Sequence, residues 1–200
     1  MTAIEDAVVA VRSGDLAVIP TDTVYGLVCD PYRLEAVERL AAVKGRTHDQ
    51  PIALIASSLE TLFNCLPELC GRLRMLASDL LPGPYTLVVP NPTRRFRWLA
   101  RSRTETLGVR VPDVSGAAHR VLEILGAVAG TSANLHGGPD PRRVEDLAPE
   151  ISSAAVVVDG GELSGTPSTV LDLTGQPAVL REGAVPAAEA LARVHRLLGQ

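Results

Sequence analysis

Lysine is nearly absent from this chain: of its 19 basic residues one, Lys44, is a lysine, and the others are arginine. A compact, strongly hydrated ammonium and a planar guanidinium are not interchangeable where a phosphate must be gripped as a point charge. A general drift toward arginine explains the excess but not the exception, so Lys44 is the first candidate for chemistry. Cysteine is scarce as well. Cys29, Cys65 and Cys70 are an odd set without paired short spacing, which argues against a disulfide framework or a zinc site. Four scattered histidines, His48, His119, His136 and His195, form no ligand pattern. Long apolar runs are missing too. The longest, residues 51–56 and 154–158, fall far short of the about 20 residues that a bilayer-crossing helix needs. Glu5, Asp6, Arg12 and Asp15 interrupt the segment where a secretory signal would carry its apolar core. A cytoplasmic address without membrane association is expected.

With 200 residues, 46% of them hydrophobic and 21% charged, the chain has enough material for one core and reads as one globular domain over 1–200. A net charge of −4 excludes a generally basic coat without saying where positive charge gathers. Apolar residues at helical spacing predict helices over 4–13, 34–44, 58–64, 67–81, 115–125, 144–151 and 187–198. Short apolar segments predict strands over 16–20, 24–28, 52–56, 85–90, 106–112, 127–130, 154–158, 169–173 and 178–180. The mixture lacks a clean βαβ repeat. A twisted, mixed or largely parallel sheet flanked by helices, in the α/β class, is the expected fold.

Polar residues interrupt these apolar segments in five places: PTDTVYG at 20–26, KGRTHDQP at 44–51, GVRVP at 108–112, TSAN at 131–134, and STV with LREG at 168–170 and 180–183. Each lies where a strand or helix passes into a loop, the location at which open α/β sheets hold ligands. Lys44 closes a helix and Arg46 follows two residues later, so helix capping and an anion clamp both account for them. Thr21 and Thr23 suit an ordinary turn or a ligand, and TSAN would look the same as a helix N-cap. No Walker loop, dinucleotide GxGxxG or Ser-His-Asp pattern is present. The segment RRFRWLARSR places Arg94, Arg95, Arg97, Arg101 and Arg103 around Phe96 and Trp98, which fits a solvated loop or a nucleic-acid or triphosphate contact.

Taken in order, PTDTVYGL, KGR with QPIALI, LLPGPYTLVV, GVRVPD, TSAN, STVLDL and LREG resemble the YrdC-like family over residues 20–183. The resemblance implies a concave, positively charged cavity and the conversion of L-threonine, bicarbonate and ATP, with Mg²⁺ on the phosphates, into threonylcarbamoyl-AMP and pyrophosphate. It implies that a downstream transferase complex then modifies tRNA. By the same resemblance Lys44 and Arg46 are catalytic. Arg46, Gln50, Thr106, Ser132, Asn134, Arg142 and Arg181 match ATP positions, and Thr23, Arg110, Ser132 and Ser168 match threonine positions. Thr47 stands where many relatives have proline, and Ile55 where some have histidine. The additional C-terminal domain of longer relatives is expected to be missing. Two rival readings remain: a non-catalytic protein binding tRNA or double-stranded RNA through the same cavity, and an enzyme of other carbamoyl chemistry using carbamoyl phosphate.

Overall fold

Strands in this chain look like unbroken apolar runs because the sheet is buried on both faces, and successive side chains enter two different cores. In the computed structural model, which describes residues 2–45 and 50–199, the strands are β1 (Leu16–Ile19), β2 (Gly26–Cys29), β3 (Ala53–Ala56), β4 (Tyr85–Pro90), β5 (Thr106–Arg110), β6 (Ala127–Ser132), β7 (Ala155–Val157), β8 (Thr169–Asp172) and β9 (Ala178–Arg181). The helices are α1 (Ala3–Ser13), α2 (Leu34–Val43), α3 (Leu59–Cys65), α4 (Gly71–Leu80), α5 (Arg97–Ala100), α6 (Gly116–Leu125), α7 (Pro149–Ala154) and α8 (Ala187–Leu197). All nine strands join one sheet in the order β7-β1-β2-β6-β3-β5-β4-β8-β9. It is mixed as expected: β1·β7, β3·β5 and β4·β8 pair parallel, and the other neighbours pair antiparallel.

Leu16, Val18, Leu27, Cys29, Leu54 and Ala56 point into the larger core, where Val37 and Leu40 of α2, Leu62 of α3, Leu76 and Leu80 of α4 and Val194 of α8 meet them. Their immediate neighbours Ala17, Ile19, Val28 and Ile55 point the other way, onto Ala7, Val8 and Val11 of α1 and Val121 and Leu122 of α6. Burying one such aliphatic side chain is worth about 1.5–3 kcal/mol, so the paired cores fix the register of every central strand. β4 alternates buried Tyr85, Leu87 and Val89 with half-buried Thr86 and Val88. Thr86 and Val88, with Thr106, Gly108 and Arg110 of β5 and Val170 of β8, line a cavity on the α1/α6 side of the sheet.

Local chemistry sets the element ends. Thr2 and Glu5 close a reciprocal capping box on α1, and Gly14 ends the helix at φ +90°. The helix expected over 67–81 starts at Gly71, after a turn closed by the Leu69 N–H on the Leu66 carbonyl. The one expected over 144–151 divides into a 3₁₀ turn, Val144–Asp146, and α7, because Pro149 at N1 leaves Ala148 extended. The segment 20–25 reverses the chain, so that β2 runs back antiparallel beside β1 with Ile19 opposite Gly26.

Candidate active site

The reversal between β1 and β2 is organised around one hydroxyl. Thr21 Oγ1 donates to the Val24 carbonyl at 2.6 Å and accepts the N–H groups of Thr23 and Val24 at 3.2 and 3.3 Å. This self-bonded turn presents Asp22 and Thr23 to β5. There Arg110 Nη2 donates to Asp22 Oδ1 and, at 2.7 Å, to Thr23 Oγ1. The ion pair is buried on both sides, with side chains 9% and 10% exposed. Burial pulls the Arg110 guanidinium below its ordinary pKa, and Asp22 opposes that shift. Asp22 Oδ2 also accepts the Asp113 N–H at 3.2 Å, so both of its oxygens are engaged. Arg110 Nε is buried without a hydrogen-bond partner.

A second polar group lies across the cavity at the start of β8. Ser168 shares a 2.8 Å hydrogen bond with Thr86, while Arg181 of β9 donates to the Ser168 carbonyl at 2.8 Å. The glycine-rich segment 159–168 is sewn to the β1–β2 turn. Gly165 N–H and the Ser164 hydroxyl both donate to the Thr23 carbonyl at 3.0 Å. The fully buried Tyr25 hydroxyl donates to the Gly161 carbonyl at 2.8 Å and accepts the Gly160 N–H at 2.9 Å. Burial, ahead of the Asp159 carboxylate, raises the Tyr25 pKa, so this anchor stays a neutral hydroxyl.

Lys44 is the C-cap of α2 and is 3% exposed. Its ammonium reaches across to the end of β6. There it donates to the Ser132 carbonyl, the Asn134 carbonyl at 2.9 Å and Asn134 Oδ1 at 2.5 Å, with Ser132 Oγ at 3.3 Å. The Ser132 hydroxyl donates to Asn134 Oδ1 at 2.7 Å, and Asn134 Nδ2 donates to the Gly138 carbonyl at 2.6 Å. TSAN is therefore the socket of the lysine, not a helix N-cap.

These groups line two adjoining cavities. A deeper one of about 300 Å³ holds Thr21, Thr86, Thr106, Arg110, Ser132 and Ser168, and one of about 350 Å³ holds Lys44, Gln50, Ser132, Asn134 and His136. Pro51, Ser132 and Arg181 belong to both. The charged residues lining the deeper cavity are Arg103, Arg110 and Arg181, and no carboxylate lines it among the described residues. A chain of net charge −4 has thus gathered cations around one hollow. Ile55 and Gly130 sit in the floor, and a Cβ on Gly130 would come within 2.5 Å of Ile55 Cδ1.

Of the residues matched by resemblance, Arg110, Thr106, Ser132, Ser168 and Arg181 come together in the deeper cavity, and Lys44, Gln50 and Asn134 in its neighbour. Thr23 is fully buried behind Arg110, and Thr21 lines the wall in its place. Arg142 stands apart, 53% exposed, with Nη2 on Glu162 at 2.9 Å. Arg46 and Thr47 lie outside the described residues. Sequence reasoning passed over Asp22 and Thr86, whereas Thr21 stood there as a turn or ligand group and Arg103 as part of the arginine-rich segment. Asp22 carried the best available signal, since a buried arginine demands a carboxylate and TDT supplied one.

Residues 9–183 match the family model Sua5/YciO/YrdC, described as "Telomere recombination". The chain is 34% identical over 193 residues to the threonylcarbamoyl-AMP synthase of Pyrococcus abyssi, covering 95% of this chain and 55% of that protein. The corresponding synthase of Chromohalobacter salexigens is 36% identical over 172 residues, covering 85% of this chain and 92% of that protein. The solved structure of P. abyssi Sua5 complexed with L-threonine superposes with a TM-score of 0.86 at 34% identity, covering 98% of this chain and 57% of that one. This chain therefore spans little more than half the length of the Pyrococcus relative. The family model over residues 9–183, the relatives and the structural match lead to one placement: the chain belongs to the Sua5/YciO/YrdC family.

Proposed function

We propose that this chain joins L-threonine, bicarbonate and ATP into threonylcarbamoyl-AMP and pyrophosphate for the modification of tRNA. The observation that carries this reading is the cationic double cavity, in which Lys44, Arg110 and Arg181 surround the hydroxyls of Thr21, Ser132 and Ser168. A triphosphate and an amino-acid carboxylate are both anions, and shaped hydroxyl pockets suit small polar substrates better than a nucleic-acid backbone does. The threonine amine adds to the bicarbonate carbon, and loss of water leaves a carbamate. A carbamate oxygen attacks the α-phosphorus, and the bond to pyrophosphate breaks. Arg110 and Ser168 hold threonine, Lys44 with Ser132 and Asn134 neutralises and orients the phosphates, and Thr106 and Arg181 flank the nucleotide. Gln50, 3.1 Å from His136, edges the same chamber.

The described residues contain no group of His, Cys, Asp or Glu fit to hold a metal, and Asp22 has both oxygens engaged. In this reading Mg²⁺ arrives on the ATP phosphates, and Asp140 is the carboxylate that lines the Lys44 chamber. An RNA-binding role has weaker support, because Arg94 and Arg95 of the arginine loop are paired with Glu105 and Glu68. Pyrophosphate release is measured with threonine, bicarbonate and ATP omitted in turn. Release requiring all three is the expected result, and release without threonine would sink the reading.

A further inference from the structure

The arginine-rich segment between β4 and β5 is built as a strut. Asn91, 1% exposed, donates from Nδ2 to the carbonyls of Arg95 at 2.8 Å and Thr104 at 3.2 Å, and accepts the Arg95 N–H at 2.9 Å. Arg94, Phe96 and Arg101 each hold a positive φ, of 52°, 49° and 58°. A left-handed backbone at three non-glycine positions persists only where the surroundings fix it. Buried Phe96 and Leu99, the Trp98 Nε1–Pro31 carbonyl bond at 2.8 Å and the Ile52 N–H–Leu99 carbonyl bond at 2.8 Å supply that fixation.

Arg103 stands at the end of this strut. Its N–H donates to the Ala100 carbonyl at 3.0 Å, and its own carbonyl accepts from the Thr106 N–H at 3.0 Å and the Thr106 hydroxyl at 3.2 Å. The backbone is pinned from both sides, yet the guanidinium lines the deeper cavity and pairs with no carboxylate or carbonyl among the described residues. Its neighbours differ. Arg94 and Arg95 are paired with glutamates, and Arg97 and Arg101 line a separate hollow with Tyr32 and Trp98. Within the deeper cavity Arg110 is committed to Asp22, and Arg181 Nη2 to the Ser168 carbonyl. Among the described residues Arg103 is thus the cation of the deeper cavity whose side chain has no protein partner, on a backbone held from both sides.

We infer that Arg103 grips the phosphate chain of the nucleotide beside Thr106, and so determines affinity for ATP rather than for threonine. The inference rests on the proposed function for the identity of its anion. A triphosphate carries several negative charges, and a guanidinium fork set on a rigid backbone loses little freedom when it binds one. Arg103 and Arg110 line the same cavity, and the proposed function gives the amino-acid carboxylate to Arg110.

The test is direct titration of the full chain with ATP, alongside threonine-dependent pyrophosphate release, for the native protein and the variants Arg103→Ala, Arg103→Gln and Arg94→Ala. Arg94→Ala removes a charge from the same strut outside the cavity. Both Arg103 variants are expected to weaken ATP binding about tenfold, with the threonine KM and thermal unfolding unchanged and Arg94→Ala native-like. Unchanged ATP affinity in the Arg103 variants overturns the inference while leaving the proposed reaction intact. Equal weakening by Arg94→Ala also overturns it, since general field would then replace contact. If the native chain binds ATP, forms no threonylcarbamoyl-AMP, and loses ATP affinity in the Arg103 variants, the inference stands and the proposed reaction falls. Failure of the native chain to bind ATP removes both.

Discussion

Arg110 and Lys44 are both buried cations of one site, but the protein holds them by different means. Arg110 is met by a carboxylate, and that carboxylate is aimed by a turn that Thr21 stitches to itself. Lys44 is met by the oxygens of Ser132 and Asn134, which also line the chamber that it faces. In the first arrangement the supporting group lies behind the cavity wall, so it can be altered without changing the wall chemically. In the second the support and the wall are the same atoms. A change at Lys44 therefore disturbs charge, wall and stability together, whereas a change at Asp22 acts on the cavity only through Arg110.

Lys44→Ala carries the largest expected effect. Removing one pre-aimed cation from a reacting phosphate lowers turnover by about 100- to 1,000-fold. The vacated oxygens cost about 1–3 kcal/mol, seen as a drop of several degrees in Tm. Pyrophosphate release and a thermal melt check both, and an active protein with a lowered Tm would reduce Lys44 to a tether between α2 and β6. Asp22→Asn follows. Breaking a buried ion pair by removing one partner costs about 3–5 kcal/mol. Asparagine keeps an acceptor, so about 2–3 kcal/mol is expected, with a raised threonine KM and a nearly constant turnover number. A turnover loss matching that of Lys44→Ala would erase the distinction between the two supports. The smallest effect concerns the substrate methyl: L-serine should be used less well than L-threonine by about 1–3 kcal/mol in kcat/KM. Equal specificity constants would show that the Arg110 end reads charge alone.

Much of the architecture was legible because burial on two faces turns a strand into an apolar run and buried helices into periodic ones. The capping box at Thr2 and Glu5 and the stop at Gly14 are local events within a few residues, and sequence reports such events well. Apolar spacing places the start of the 67–81 helix four residues before Gly71, because it does not register the turn closed by the Leu69 N–H on the Leu66 carbonyl. The split at Pro149 was available in the sequence and was overridden by apolar spacing. Within the site, the five polar interruptions marked the right places, since polar groups at the ends of buried strands need a partner or a ligand. Which of them meet each other was not legible. Lys44 lies 88 residues from Ser132, and Arg110 lies 88 from Asp22. Sheet order alone decides those encounters.

The cavity floor has its own consequence. Ile55 extends into the space that Gly130 leaves open, and a methyl group added at 130 would fall 2.5 Å from the isoleucine Cδ1. The two positions share that volume, so a side chain at 130 requires the Ile55 terminus to turn aside or to be trimmed. Substitutions at the two positions should be non-additive, a larger residue at 130 being better tolerated with a smaller one at 55. For a redesign of the proposed amino-acid site toward a bulkier side chain, 55 and 130 are one adjustable unit on adjacent strands, to be varied in the same library.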